Sequence, residues 1–139
     1  MSPKPAKPAP PKTSFERSTR QRRTIQGIFE RADRPLSSEE VHAAAQGSGA
    51  GVSLATVYRS IRALLDDGLL SIVDVPGGSA FYEVTGKDHH HHFSCLRCRR
   101  VFELEGCVSA DSLVLPRGFR AVSHDLTVFG TCRSCRASG

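Results

Sequence analysis

Apolar residues along this chain recur first with a helical period and then with a period of two. Between Arg20 and Ala32 they fall at Ile25, Ile28, Phe29 and Ala32, the i, i+3, i+4, i+7 stripe of an amphipathic helix. Arg34-Pro35 ends it. A second helix opens at Leu36, where Ser37 and Glu40 have the spacing of a capping box and Leu36 and Val41 that of its hydrophobic staple. Val41, Ala44 and Ala45 continue its buried face, and the glycine-rich stretch 46–51 reads as a turn. The third helix is predicted from Ser53 as N-cap to Asp67, with Gly68 as its stop. Leu54, Val57, Ile61, Leu64 and Leu65 gather on one side of it.

Residues 69–75 and 79–84 are then short β-branched and aromatic runs around Pro76-Gly77-Gly78, the pattern of a hairpin. Three helices and a hairpin make a winged helix-turn-helix over residues 15–84, with 85–88 as a hinge. The remainder, 89–139, predicts strands at 89–95, 100–104 and 119–129, with at most a short helix at 108–115. The fold class is therefore α+β: an N-terminal winged helix-turn-helix domain followed by a small α/β domain.

A domain of about fifty residues buries too little apolar area to hold itself together and calls for a staple. The candidate is Cys95-Leu96-Arg97-Cys98 with Cys132-Arg133-Ser134-Cys135. Two Cys-x-x-Cys pairs across a short domain have the spacing of a tetrahedral four-cysteine zinc site, and thiolates match the softness of zinc. Disulfides or a redox dithiol are the rival reading, without support from any sign of secretion. Just before the first pair stands His89-His90-His91-His92. On a strand, side chains alternate between faces. His89 and His91 would then serve one metal site, and His90 and His92 another. A purification tag is the dull alternative, but this run is internal. His42 is expected to be a packing or surface histidine, and Cys107 a buried thiol rather than a ligand.

Charge narrows the partner. The chain carries a net +5, yet residues 1–23 hold seven Lys and Arg against Glu16 alone, a local +6, so the rest nets about −1. Residues 1–14, rich in Pro and Lys, are expected to form a disordered basic arm. Arg20, Arg22 and Arg23 open the first helix, and the outward face of the third carries Ala55, Thr56, Arg59 and Arg62, with Tyr58 on its flank. Small, hydroxyl and guanidinium groups near a helix start suit the major groove of double-stranded DNA. No apolar run reaches membrane-spanning length, and no signal-peptide pattern is read, so a cytoplasmic protein is expected. The His-x-Glu and Pro-Cys-x-x-Cys pairing of zinc deaminases is missing, which argues against an enzyme. A zinc storage or delivery protein would use the same histidines without needing the third helix's outward face.

Leu54-Ala55-Thr56-Val57-Tyr58-Arg59, the run His89–Cys98, and His124 through Gly130-Thr131-Cys132-x-x-Cys135 together resemble the ferric uptake regulator (Fur) family over residues 17–136. The resemblance implies a homodimeric, metal-dependent repressor of metal-homeostasis genes that binds palindromic operators. It matches Cys95, Cys98, Cys132 and Cys135 to structural zinc ligands, and Tyr58 and Arg59 to the recognition-helix pair. Arg20, Arg22, Arg23, Ser53, Thr56 and Arg62 complete the expected DNA-binding set. Glu83, His90 and His92 match a regulatory metal site at the hinge, with Glu103 as the candidate fourth ligand. His89, His91 and His124 match a third site, with Asp111 as its candidate acid, since Ala110 stands at the expected position. Iron- and peroxide-sensing branches place a histidine where this chain has Pro35, and zinc-sensing members often have a cysteine where it has Val84. Glu103-x-Glu105-x-Cys107 is similar to the zinc-uptake (Zur) branch. Zinc is thus the expected second metal, with Fe(II) or Mn(II) as alternatives.

Overall fold

The computed structural model describes residues 3, 5, 13–107 and 112–138. The arm expected over residues 1–14 falls mostly outside them, as does the expected acid Asp111. Helix α1 (Ser14–Arg31) starts well before the apolar stripe does. Its start is set by a capping box: Glu16 N–H donates to Thr13 Oγ1 (3.2 Å), and Thr13 N–H donates to the Glu16 carboxylate (2.8 Å). The first turns are exposed, Phe15 included, so no buried period could announce them.

α2 (Ser38–Gly47) has the expected box, Glu40 N–H donating to Ser37 Oγ and Ser37 N–H to the Glu40 carboxylate. Leu36 and Val41 are both buried, but Ala44 is exposed and only Ala45 continues the inner face, because the helix meets its neighbours along one narrow i, i+4 seam. α3 (Leu54–Asp66) is capped by Ser53, and Gly68 leaves it with φ +73°. Val57, Ile61 and Leu64 enter the core with Ile25, Phe29 and Val41, whereas Leu65 packs half-buried against its rim and Leu54 is half-buried outside it. Each fully buried aliphatic side chain contributes about 1.5–3 kcal/mol.

Strands β1 (Leu70–Val73) and β2 (Phe81–Val84) pair antiparallel. Their link is a type II turn with Pro76 fixing φ at the first corner and Gly77 at φ +72° at the second, closed by Gly78 N–H to Val75 C=O at 3.0 Å. Leu36 and Tyr82 exchange backbone hydrogen bonds at 2.9 Å each way, tying the α1–α2 link to the wing.

In the second half, β3 (His91–Cys95) lies between β4 (Val101–Leu104), antiparallel to it, and β5 (Thr127–Gly130), parallel to it. The long strand expected over 119–129 is reduced to β5. Phe119 and Val122 stand 69% and 94% exposed, and β3 lies alongside only from Leu126, whose C=O accepts from His92 N–H at 3.2 Å, to Gly130. A one-turn helix α4 (Arg133–Ala137), absent from the sequence reading, carries Cys135 and has Cys132 as its N-cap. The two halves meet across residues 85–88. Val101 of β4 is fully buried with Val73, Val75 and Phe81 of the wing, and the Arg34 guanidinium lies 5.7 Å from the Phe102 ring centroid while it pairs with Glu40 at 2.7 Å.

Candidate metal centres

Three clusters of potential ligands form among the described residues, and the run into β3 feeds all of them. Cys95, at the end of β3, and Cys98 approach Cys132 and Cys135 from α4. β5 running parallel to β3 delivers the second pair, since Leu96 N–H donates to Gly130 C=O at 2.8 Å. Arg97 ties the two loops by donating to Cys135 C=O at 3.0 Å. Backbone N–H groups of Cys98 and Cys132 point at Cys95 Sγ from 3.5 and 3.4 Å. They pull its pKa down to about 6, overcoming the opposite effect of burial. Cys135 is pushed up to about 12 by burial and by sharing hydrogen bonds with the other thiols. Four sulfurs this close, with no S–S bond among them, fit a soft divalent cation that would replace the thiol protons.

Glu83, His90 and His92 form the second cluster. Glu83 points from β2, and the histidines come from the other half of the molecule. His90 Nε2 lies 2.9 and 3.0 Å from the two Glu83 carboxylate oxygens, and His92 Nε2 lies 3.3 Å from one of them. His90 Nδ1–H donates to Asp88 C=O at 2.7 Å, which orients the ring and turns Nε2 toward the cluster. Burial pushes Glu83 up, but hydrogen bonds from His92 and His90 outweigh it and hold the carboxyl below its ordinary 4.5. For His90, burial acts downward, and Asp88 C=O and Glu83 together raise it above 6.5. A buried carboxylate against two imidazoles fits a borderline divalent ion. Glu103, expected as the fourth ligand, instead pairs with Lys87 at 3.0 Å and does not belong to the cluster. It stands opposite His92 in the β3–β4 register and adds to the field that raises His90.

The third cluster is His89, His91 and His124 with Cys107. Cys107, expected to be buried and not a ligand, is exposed and faces two of the histidines. Gly106, at φ +88°, turns the chain back after β4, a conformation only glycine adopts cheaply. That turn leaves no trace in hydrophobic period. The one signal available was Cys107 itself, a chemically active residue within the metal-rich half.

The helical face is less simple than its sequence. Ser53 Oγ accepts Thr56 N–H and donates to Thr56 Oγ1, which also accepts from Arg59 at 3.0 Å. Tyr58 is 47% exposed and its hydroxyl donates to Glu39 at 3.2 Å, which raises its pKa. Arg62 pairs with Asp66, and Arg22 with Asp67 at 3.6 Å, while Arg20 and Arg23 stand exposed on α1. Arg17, outside the expected set, lines one cleft with Thr56 and Arg59. The early start of α1 puts it there.

The model of the ferric uptake regulator family matches residues 14–129. A zinc uptake regulation protein of Mycobacterium tuberculosis is 34% identical over 124 residues, covering 87% of this chain and 95% of that one. A ferric uptake regulation protein of Neisseria gonorrhoeae is 32% identical over 132 residues, covering 92% of each. Among solved structures, a zinc-bound manganese uptake regulator superposes with a TM-score of 0.69 at 27% identity, over 87% of this chain and 99% of that one.

Proposed function

The chain belongs to the ferric uptake regulator family, and on that premise we propose a zinc-responsive repressor that binds operator DNA as a homodimer. Family members are metal-dependent transcription regulators and not enzymes. The observation that carries the finer reading is Glu83 of the wing meeting His90 and His92 of the other half. A divalent cation, when bound there, supplies a cross-link in place of the proton between His90 and Glu83. The residues of the chain do the rest. Glu83 anchors the wing, His90 and His92 anchor β3, and together they restrict the hinge at 85–88 to one separation of the halves. In a dimer, two α3 helices so held match successive half-sites on one face of DNA. Tyr58, Arg59 and Thr56 would reach the base edges. Arg20, Arg23 and the exposed Arg62 would reach phosphates, Ser53 would cap the start of α3, and Arg22 would brace α3 against α1 through Asp67. A dimer would also cover Phe119, Val122 and Val114, which are 69%, 94% and 100% exposed.

Cys95, Cys98, Cys132 and Cys135 would hold a structural zinc ion. Zinc is favoured for the regulatory site because Pro35, fully buried, stands where iron and peroxide sensors place a ligand, and because of the likeness of residues 103–107 to the zinc-uptake branch.

Fluorescence anisotropy on the DNA upstream of its own gene tests the reading, with Zn(II), Mn(II) and Fe(II) each buffered under anaerobic conditions. Tight binding in Zn(II) alone is expected, and His90→Ala with His92→Ala should abolish the metal dependence while far-UV circular dichroism stays unchanged. A response to Fe(II) or Mn(II) in place of Zn(II) would overturn the choice of metal. Wild-type protein bound equally with and without metal would overturn the switch.

A further inference from the structure

The third cluster departs from an ordinary mixed histidine–carboxylate arrangement. His89 Nε2 lies 3.1 Å from His124 Nε2, which lies 3.2 Å from His91 Nε2. Cys107 Sγ lies 3.2 Å from His91 Nε2 and 3.0 Å from His124 Nε2. Each neutral imidazole has one N–H, and a thiol has one weak S–H. Hydrogen bonds at such a convergence leave lone pairs facing lone pairs, whereas one cation satisfies all four atoms together. The spacing also suits a tetrahedron: Zn–N and Zn–S bonds of about 2.0 and 2.3 Å set edges of about 3.3–3.6 Å, a few tenths of an ångström beyond the distances seen. The ring of His91 is buried, and its Nδ1 is the one buried side-chain polar atom without a partner among the described residues. An imidazole placed there at that cost is held for what its other nitrogen does.

We propose that Cys107 is the fourth donor of the three-histidine site that the family resemblance implies, a thiolate that makes this centre of three imidazoles and one sulfur selective for zinc over manganese and ferrous iron. A thiolate favours borderline and soft ions, while a carboxylate in the same position would admit hard, oxygen-preferring ones. Asp111 is not required as a donor, because Cys107 already completes the four. Exclusion of hard ions then resides in one side chain on the loop after β4. The centre is separate from the Glu83–His90–His92 cluster, and its selectivity holds whether or not the chain binds DNA.

The test uses full-length protein with its four-cysteine site loaded with zinc, zinc retention being checked by elemental analysis, followed by titration with Co(II). The regulatory cluster contains no sulfur, so any sulfur-to-cobalt charge-transfer band in the near ultraviolet reports Cys107. Wild type should develop that band with tetrahedral visible bands. Cys107→Ser should lose the charge-transfer band and bind Zn(II) at this centre at least about tenfold more weakly. His90→Ala with His92→Ala should keep the band, and His91→Ala should lose it. Cys107→Asp should bind again but shift its preference toward Mn(II). Cobalt binding without a sulfur band in wild type, or a band surviving in Cys107→Ser, overturns the thiolate assignment. Equal Zn(II)-to-Mn(II) preference in wild type and Cys107→Asp overturns the selectivity.

Discussion

Two side chains show how far a single residue can be read. Arg59 was legible from the 100° step of α3, and it lies on the exposed face with its guanidinium braced by Thr56. If it reads bases, Arg59→Ala should cost about 1–3 kcal/mol of operator affinity and relax specificity, measurable by anisotropy on matched and mutated sites. Equal loss on every sequence would make it a phosphate contact instead. Cys107 was not legible, because its position depends on the backbone reversal at Gly106 and on three histidines from two distant stretches. Proton linkage also belongs to this scale. In metal-free protein, Glu83 stabilises above its unfolded 4.5, and this is lost as pH falls through its depressed folded value. His90 stabilises below 6.5, and this is lost as pH rises through its elevated folded value. Both contributions overlap between those two values, where a cation must displace the proton on His90. Affinity for the second divalent ion should therefore weaken on going from about pH 8 to about pH 6. Calorimetry in buffers of different ionisation enthalpy measures the protons released, and pH-independent affinity would refute the linkage.

Elements whose geometry follows from a local pattern are legible in the sequence. α2 and α3 carry their caps in sequence, and the wing announces itself through Pro76 and Gly77. Apolar residues from Phe119 onward look like a longer β5, whereas strand length is decided by the neighbour available for pairing. That pairing is tight at Gly130. A β-carbon added there would lie 3.0 Å from Phe93 Cζ on the central strand. Gly130→Val should push β5 off β3, lower stability by about 1–3 kcal/mol, and weaken zinc retention by the Cys pairs against a chelator. Phe93→Leu in the same chain should recover part of the loss. An unchanged melting temperature and zinc content in Gly130→Val would show that the sheet yields there at no cost.

For the whole molecule, the metal cluster between the halves was within reach of the sequence, but the apolar contacts between them were not. Val73, Val75 and Phe81 read as one side of a hairpin, and nothing in their spacing says that Val101 completes their core. Val101→Ala removes no potential ligand, yet it should cost about 2 kcal/mol in folding stability. Through the same loosening it should raise the metal concentration needed for DNA binding, the quantity to measure beside the melting curve. Cys95→Ala should act differently, unfolding the second half and leaving no dimer by analytical ultracentrifugation. A folded dimer in that variant would refute the structural role of the Cys cluster. With Arg17, Arg20 and Arg23 exposed on α1, affinity for DNA should also drop steeply as salt rises.

The run from His89 to Cys98 supplies six of the eleven residues in the three clusters: His89, His90, His91, His92, Cys95 and Cys98. Deleting or inserting one residue inside it would exchange faces and corrupt all three centres in a single step. Substitution at Glu83, Cys107 or His124 would alter one centre and spare the others. Natural variation in metal choice should therefore accumulate at those outlying positions, while the length of the central run is held fixed by selection. One short strand acts as a reading frame, and chemical diversity is written in its margins.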